Sequence, residues 1–165
     1  MQTHPRFADL PAAEQAPRQL LDGAGLSLLR IAAGGFLLPH GLGKLFGWFD
    51  GPGLQGFAEE LQGFGLPSFT PVPLLLALAQ VSLGVLVLAG AWTRWSALLA
   101  SLFLAMTVVL SASSGWFWMH HGMEYPLLWT LVLFALALTG AGPFSVDHLL
   151  GHRLQKRDEG VCVDQ

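Results

Sequence analysis

Residues 95–119 read WSALLASLFLAMTVVLSASSGWFWM, a run of 25 residues without a charged side chain. Similar apolar stretches occupy residues 72–93 and 125–146, and a fourth, interrupted by Arg30, begins near Ala24. The hydrocarbon core of a bilayer is about 30 Å thick, and about 20 apolar helical residues cross it. Because lipid offers no partner to backbone N–H and C=O groups, such segments must be helical. The sequence therefore predicts a membrane protein with four spans.

The composition agrees with this prediction and excludes several classes of function. Hydrophobic residues make up 53% of the 165-residue chain and charged residues only 12%, against about 25% charged residues in a soluble domain. The net charge of -3 argues against nucleic acid as a partner. Cys162 is the single cysteine, so the chain alone can neither close an internal disulfide nor run dithiol exchange.

The connections between the apolar runs predict the fold. A turn at Thr93-Arg94 is so tight that spans two and three must be antiparallel neighbours. We predict an all-α membrane protein, an antiparallel up-down bundle of four transmembrane helices. The predicted spans lie at about 24–46, 72–92, 95–115 and 124–142. They form one domain, 23–147, between a polar N-terminal segment, 1–22, and a polar tail, 148–165.

The first connection contains apolar residues at helical spacing, namely Leu54, Phe57, Ala58, Leu61 and Phe64. Glutamines and glutamates lie largely on the other side of this segment. The pattern predicts a short amphipathic helix between spans one and two, lying at the outer membrane interface.

The distribution of Lys and Arg predicts the orientation. One side of the predicted bundle carries Arg6, Arg18, Arg94, Arg153, Lys156 and Arg157, whereas the other carries only Lys44. Cytoplasmic loops carry the excess of these residues, so both termini are predicted to be cytoplasmic. The first apolar run begins late and is long, which favours a retained span over a cleaved signal peptide.

Spans one and two carry strongly polar side chains, namely Arg30, His40 and Lys44 in span one and Gln80 in span two. A charged side chain at the centre of a span costs about 2.5–3.5 kcal/mol on insertion scales. Arg30 can either snorkel to the cytoplasmic interface or find a buried partner. His40 and Lys44 are four residues apart and share one helix face near the outer end. Gln80 fits either a hydrogen bond between helices or a contact with a ligand.

The outer loop before span four is rich in polar and aromatic groups. It contains His120, His121, Glu124 and Tyr125, close to the predicted mouth of the bundle. Histidine binds metals, but adjacent histidines point in different directions and no Glu-x-x-His or cysteine pair accompanies them. His120 and His121 are therefore weak metal candidates. Two other interpretations of this loop are a site for a quinone or small solute and a structural loop anchored at the interface.

Several ordered motifs, extending from Leu26 to Asp147, resemble the DoxX family. The motifs are LRI at 29–31, PHGLGKLFGWF at 39–49, GPGL at 51–54, LAGAWTR at 88–94, GWFW at 115–118, EYPLL at 124–128 and TGAGPFSVD at 139–147. The resemblance implies a small inner-membrane protein of bacteria or archaea. The family takes its name from subunits of an archaeal thiosulfate:quinone oxidoreductase, and some relatives are linked to oxidative-stress complexes or quinone detoxification.

The chain departs from the family pattern in two places. Relatives commonly have a glutamate in the middle of span two, where this chain has Gln80. Because glutamine carries no charge, this chain lacks the glutamate as a candidate ionic partner of Arg30, and a proton-coupled role is less favoured. The pair His120-His121 occupies a position where relatives often have Asn and Gly, so its chemistry cannot be carried over from the family.

Together these features predict a membrane subunit of a quinone-linked redox complex. Its pocket for a quinone or small anion is predicted from Arg30, His40, Lys44, Gln80, Glu124 and Tyr125. The sequence shows no self-sufficient catalytic constellation, so electrons would come from a soluble redox enzyme as partner. The alternatives are a non-catalytic scaffold for a soluble enzyme and, less favoured, a small-solute permeation protein. Small residues at 43–47 would also permit a homo-oligomer.

Overall fold

The computed structural model describes the backbone of residues 12–151 and the side chains of residues 19–151. In this part the chain is helical and contains no β-strand. The helices are α1 (Ala12–Phe46), α2 (Gly53–Gly63), α3 (Val72–Ala89), α4 (Thr93–Ser111) and α5 (Glu124–Thr139). Helical backbone resumes over residues 146–151. The predictions for Arg6, Arg153, Lys156, Arg157 and Cys162 lie outside the described residues.

Within residues 12–151, three helical stretches are long and apolar enough to cross a membrane: Gln19–Phe46, Val72–Ala89 and Thr93–Ser114. The fourth apolar helix, α5, has 16 residues. Helix α1 begins at Ala12, so part of the predicted polar segment 1–22 is also helical. This part lies before the long apolar run on which the prediction of the first span depended.

Large apolar side chains are exposed on the outer faces of these helices. Examples are Ile31 (57% exposed), Val85 (50%), Leu102 (60%) and Leu131 (57%). Large apolar side chains that would be unfavourable in water are favourable against the hydrocarbon of a bilayer. The structure therefore confirms the prediction of an all-helical protein with long apolar helices that suit a bilayer.

The most extensive helix contacts join α1 to α3 and α4 to α5. Glycines bring α1 and α3 together, because a Cβ atom on Gly34 would lie 2.7 Å from the Leu88 nitrogen and 2.9 Å from the Gly84 carbonyl oxygen. Further along α1, Gly41 packs on Val81. Residue numbers rise in α1 as they fall in α3, so these two helices run in opposite directions.

The buried core lies where α1, α3, α4 and α5 meet. Its members are Ala33, Leu37, Val87, Ala97, Ala100, Leu104, Leu133 and Leu136. One polar bond crosses the α4–α5 interface within this layer, since the Ser101 hydroxyl donates to the Thr130 carbonyl oxygen at 3.1 Å.

Helix α2 packs on the protein through its apolar face. Phe57 and Leu61 are buried with Ala77 of α3, and partly buried leucines at positions 45, 54, 66 and 76 surround them. The sequence predicted a helix here, and the helix exists. Two of the five apolar residues that predicted it, Phe57 and Leu61, are enclosed by protein and are not available to lipid, because α2 packs against α1 and α3.

Candidate functional site

A cavity of about 440 Å³ lies between α1, α3, α4, α5 and the loop that precedes α5. Four residues predicted from the sequence line it: His40, Lys44, Gln80 and Tyr125. The other lining residues are Phe103, Leu104, Thr107, Ser111, Trp118, His121, Gly122, Pro126 and Trp129. Nitrogen and oxygen donors thus face a space that is bounded largely by aromatic and apolar side chains.

Lys44 joins two helices at this cavity. Its Nζ atom donates to Oε1 of Gln80 at 3.1 Å and lies 4.4 Å from the centroid of the Phe57 ring. A second ring, that of Phe103, is 6.0 Å away. Aromatic faces attract a nearby ammonium group, and the Gln80 acceptor is a neutral amide. The bond therefore places the ammonium group at the cavity without cancelling its charge.

His40 is held beside the indole of Trp129. Their ring centroids are 5.3 Å apart, and the indole Nε1–H of Trp129 donates to the Ala33 carbonyl oxygen at 3.1 Å. Because that bond fixes Trp129 against α1, the histidine packs on a rigid wall. Tyr125 makes a similar edge contact with Trp118, with 6.0 Å between the centroids.

The loop before α5 forms one side of the cavity, through Trp118, His121 and Gly122. Its ends are joined by backbone bonds, from Met123 N–H to Gly115 O at 3.0 Å and from Glu124 N–H to Trp116 O at 3.1 Å. The Glu124 carboxylate accepts from the Trp118 N–H at 3.3 Å. Glu124 therefore braces the loop, and the structure does not bring it into the lining of the cavity.

The two adjacent histidines of this loop differ in position. His121 lines the cavity, whereas His120 does not. Within residues 19–151 no group of three or more His, Cys, Asp or Glu side chains is arranged to hold a metal ion. The loop geometry thus brings one imidazole, not a pair, to the candidate site.

The structure does not bring Arg30 to the cavity. Arg30 and Lys44 are 14 residues apart on α1, which is about 21 Å along the helix axis. Arg30 is only 3% exposed, so its guanidinium does not snorkel to water. Its Nη2 donates to the Phe144 carbonyl oxygen and, at 3.4 Å, to the Ser27 hydroxyl. Its Nε and Nη1 atoms are buried without a hydrogen-bond partner.

Asp147 organises the same end of the molecule. Its carboxylate accepts from Trp92 N–H at 2.7 Å, from Thr93 N–H at 2.9 Å and from the Thr93 hydroxyl at 3.0 Å. These bonds satisfy donors at the start of α4, as an N-cap does. The Asp147 N–H also donates to the Gly90 carbonyl oxygen at 3.0 Å. The motifs at 88–94 and 139–147 therefore meet here, next to Arg30.

Sequence reasoning missed several wall residues of the cavity. Trp129 follows Tyr125 by four positions, and Ser111 follows Thr107 by four. Residues four apart share a helix face, so both pairs could have been found by extending that rule from the polar residues. Phe103 precedes Thr107 by four positions and shares this face, but its residue type did not distinguish it from the other apolar residues of the span.

Comparison with known proteins identifies the family but gives no closer relative. A family model described as DoxX matches residues 25–121, which is more than half of the chain and confirms the resemblance. The motifs at 124–128 and 139–147 lie beyond this match. No curated protein and no solved structure matches the chain. With its long apolar helices, the chain is a multi-pass membrane protein and belongs to the DoxX family.

Proposed function

We propose that this protein is the membrane subunit of a quinone-linked redox complex and that its cavity binds the quinone ring. The observation that carries the proposal is the convergence of His40, Lys44, Gln80 and Tyr125 in one aromatic-walled cavity. A quinone has two carbonyl oxygens that accept hydrogen bonds and a flat apolar ring. Lys44 supplies a charged donor on one wall, and the Trp129 and Trp118 indoles supply packing surfaces.

The proposed membrane arrangement has α5 as the fourth span and both termini in the cytoplasm. Contacts support it, because Leu26 packs near Gly142 while His40 packs on Trp129, so α1 and α5 also run in opposite directions. With 16 residues, α5 is about 24 Å long, and the apolar residues that follow it extend this reach. The cavity then lies in the outer half of the bundle, with α2 beside it at the outer interface.

The electrons are proposed to come from a soluble redox enzyme bound to this subunit. The chain contains one cysteine, and its candidate site offers hydrogen-bond donors and aromatic surfaces. Such groups bind and orient a ring and hold its oxygens, while a partner's cofactor carries out the electron transfer.

Binding of a short-tailed ubiquinone or menaquinone analogue to the protein in nanodiscs tests the proposal. We expect saturable binding that Lys44→Ala and His40→Ala each weaken, Lys44→Ala by about tenfold or more, because a hydrogen bond to a charged group is worth about 1.5–3 kcal/mol. His120→Ala is the matched control, since this exposed imidazole of the outer loop does not line the cavity.

Thermal melting of each variant shows whether it remains folded. Absence of saturable quinone binding by the wild-type protein would remove the proposal. Unchanged binding in both cavity variants, together with co-purification of a soluble enzyme, would favour the scaffold function instead.

A further inference from the structure

A second concave surface continues from the cavity along the outside of the bundle. It has a volume of about 420 Å³ and lies between α1 and α5. We call it the α1–α5 groove, defined by Ala32, Ala33, Phe36, Pro39, His40, Tyr125, Leu128, Trp129 and Val132. His40, Tyr125 and Trp129 line both the groove and the cavity, so the two spaces meet at these three side chains.

The groove changes character along its length. At the junction it has the imidazole of His40 and the phenol of Tyr125, whereas beyond them the named walls are alanine, phenylalanine, proline, leucine and valine. From His40 back to Ala32 the groove follows α1 for eight residues, about 12 Å of helix axis. It therefore runs from the polar cavity toward the middle of the proposed span.

Another groove also touches the cavity but has a different lining. It lies between α2 and α4 with a volume of about 200 Å³, and both Glu60 and Lys44 line it. Burying hydrocarbon against a carboxylate and an ammonium group desolvates both charges at a cost. Of these two grooves, the α1–α5 groove is the one that suits an apolar chain.

We propose that the ligand of the cavity is an amphiphile whose polar ring lies in the cavity and whose hydrocarbon tail leaves through the α1–α5 groove. This inference rests on the proposed function and narrows it. It selects a long-tailed quinone that enters sideways from the bilayer over a small water-soluble oxyanion that enters from the outer loop. The continuity of the two spaces at His40, Tyr125 and Trp129 is what connects head and tail.

Two benzoquinones with the same dimethoxy-methyl ring, one with a decyl chain and one without, test the inference in nanodiscs. Concentrations are expressed per lipid, so that partitioning into the bilayer does not count as binding. We expect the decyl compound to bind the wild-type protein about tenfold or more tightly, because its tail makes close van der Waals contact with the walls of the groove. A filled groove should remove most of that difference.

Ala32→Trp fills the groove, and Leu128→Trp, at an exposed groove position, does so independently if the first variant does not fold. Both variants are expected to lower the affinity for the decyl compound about tenfold and to leave the affinity for the tail-less compound unchanged. Ala135→Trp is the matched control, because this exposed position on α5 lies outside the cavity and both grooves. Lys44→Ala, in contrast, should lower the affinity for both compounds.

The outcomes separate the tail inference from the proposed function. Equal binding of both compounds, with no effect of Ala32→Trp or Leu128→Trp, would overturn the tail inference and leave the ring site standing, with bilayer lipid in the groove. Failure of both compounds to bind the wild-type protein would overturn the proposed function, and the tail inference with it.

Discussion

Gly34→Val is expected to separate α1 from α3 and to destabilise the protein by about 3 kcal/mol or more, at the upper end of what overpacking costs. The new Cβ atom would lie 2.7 Å from the Leu88 nitrogen and 2.9 Å from the Gly84 carbonyl oxygen. Both are backbone atoms of α3, so no side-chain rotation can make room. The helices would have to move apart along an interface where Gly41 also packs closely on Val81.

Gly35→Val provides the matched control at the next position. A Cβ atom on Gly35 meets nothing within 4 Å, and both glycines lie in the same apolar helix. We expect Gly35→Val to change the free energy of unfolding by less than about 1 kcal/mol. Thermal melting of the two variants in the same detergent measures the difference. Equal losses of stability would show that the α1–α3 backbone contact is not what holds these helices together.

Arg30→Ala is expected to cost about 3 kcal/mol of stability, because it removes a charge-assisted bond to the Phe144 carbonyl oxygen and leaves a void. Arg30→Met retains much of the side-chain volume without the charge. Like Arg30→Ala, it removes the buried Nε and Nη1 atoms that have no hydrogen-bond partner, whose burial is unfavourable. We therefore expect Arg30→Met to be clearly more stable than Arg30→Ala when both are melted under the same conditions.

Arg30→Met also tests whether the end of the bundle at Arg30 takes part in binding the quinone. Arg30→Met is expected to leave the affinity for a quinone analogue within about twofold of wild type, whereas Lys44→Met lowers it about tenfold. The reason is the separation of about 21 Å between the two positions along α1. Equal loss of affinity in both variants would contradict the assignment of the site to the cavity at Lys44 alone.

The apolar runs predicted the helices well because hydrophobic length is a direct requirement of the bilayer. Helix ends were less predictable. Helix α3 ends at Ala89, before the predicted end at position 92, because Gly90 adopts a left-handed conformation with φ of 69°. A side chain at Gly90 would also overlap the Arg30 guanidinium. That second constraint comes from a residue 60 positions earlier, whereas the glycine itself is a local signal for a helix end.

The candidate site was only partly predictable from sequence. His40 and Lys44 share a helix face, and this local rule placed them together. The bond between Lys44 and Gln80 could not be derived, because it depends on how far α3 is shifted along α1. Arg30 was grouped with them by residue type, although depth along α1 separates it from the cavity. The cap that Asp147 provides to α4 spans 54 residues, so no capping pattern near Thr93 reveals it.

The most direct test of the account is the side of the membrane on which four positions lie. In a Cys162→Ser background, single cysteines replace Gln62, Arg94, Met119 and Gly151, which are all exposed, and a membrane-impermeant maleimide is added to intact cells. We predict labelling of positions 62 and 119 from outside, and of positions 94 and 151 only after permeabilisation. Labelling of positions 119 and 151 from the same side would contradict α5 as the fourth span, and labelling of 62 and 94 from the same side would contradict the bundle itself.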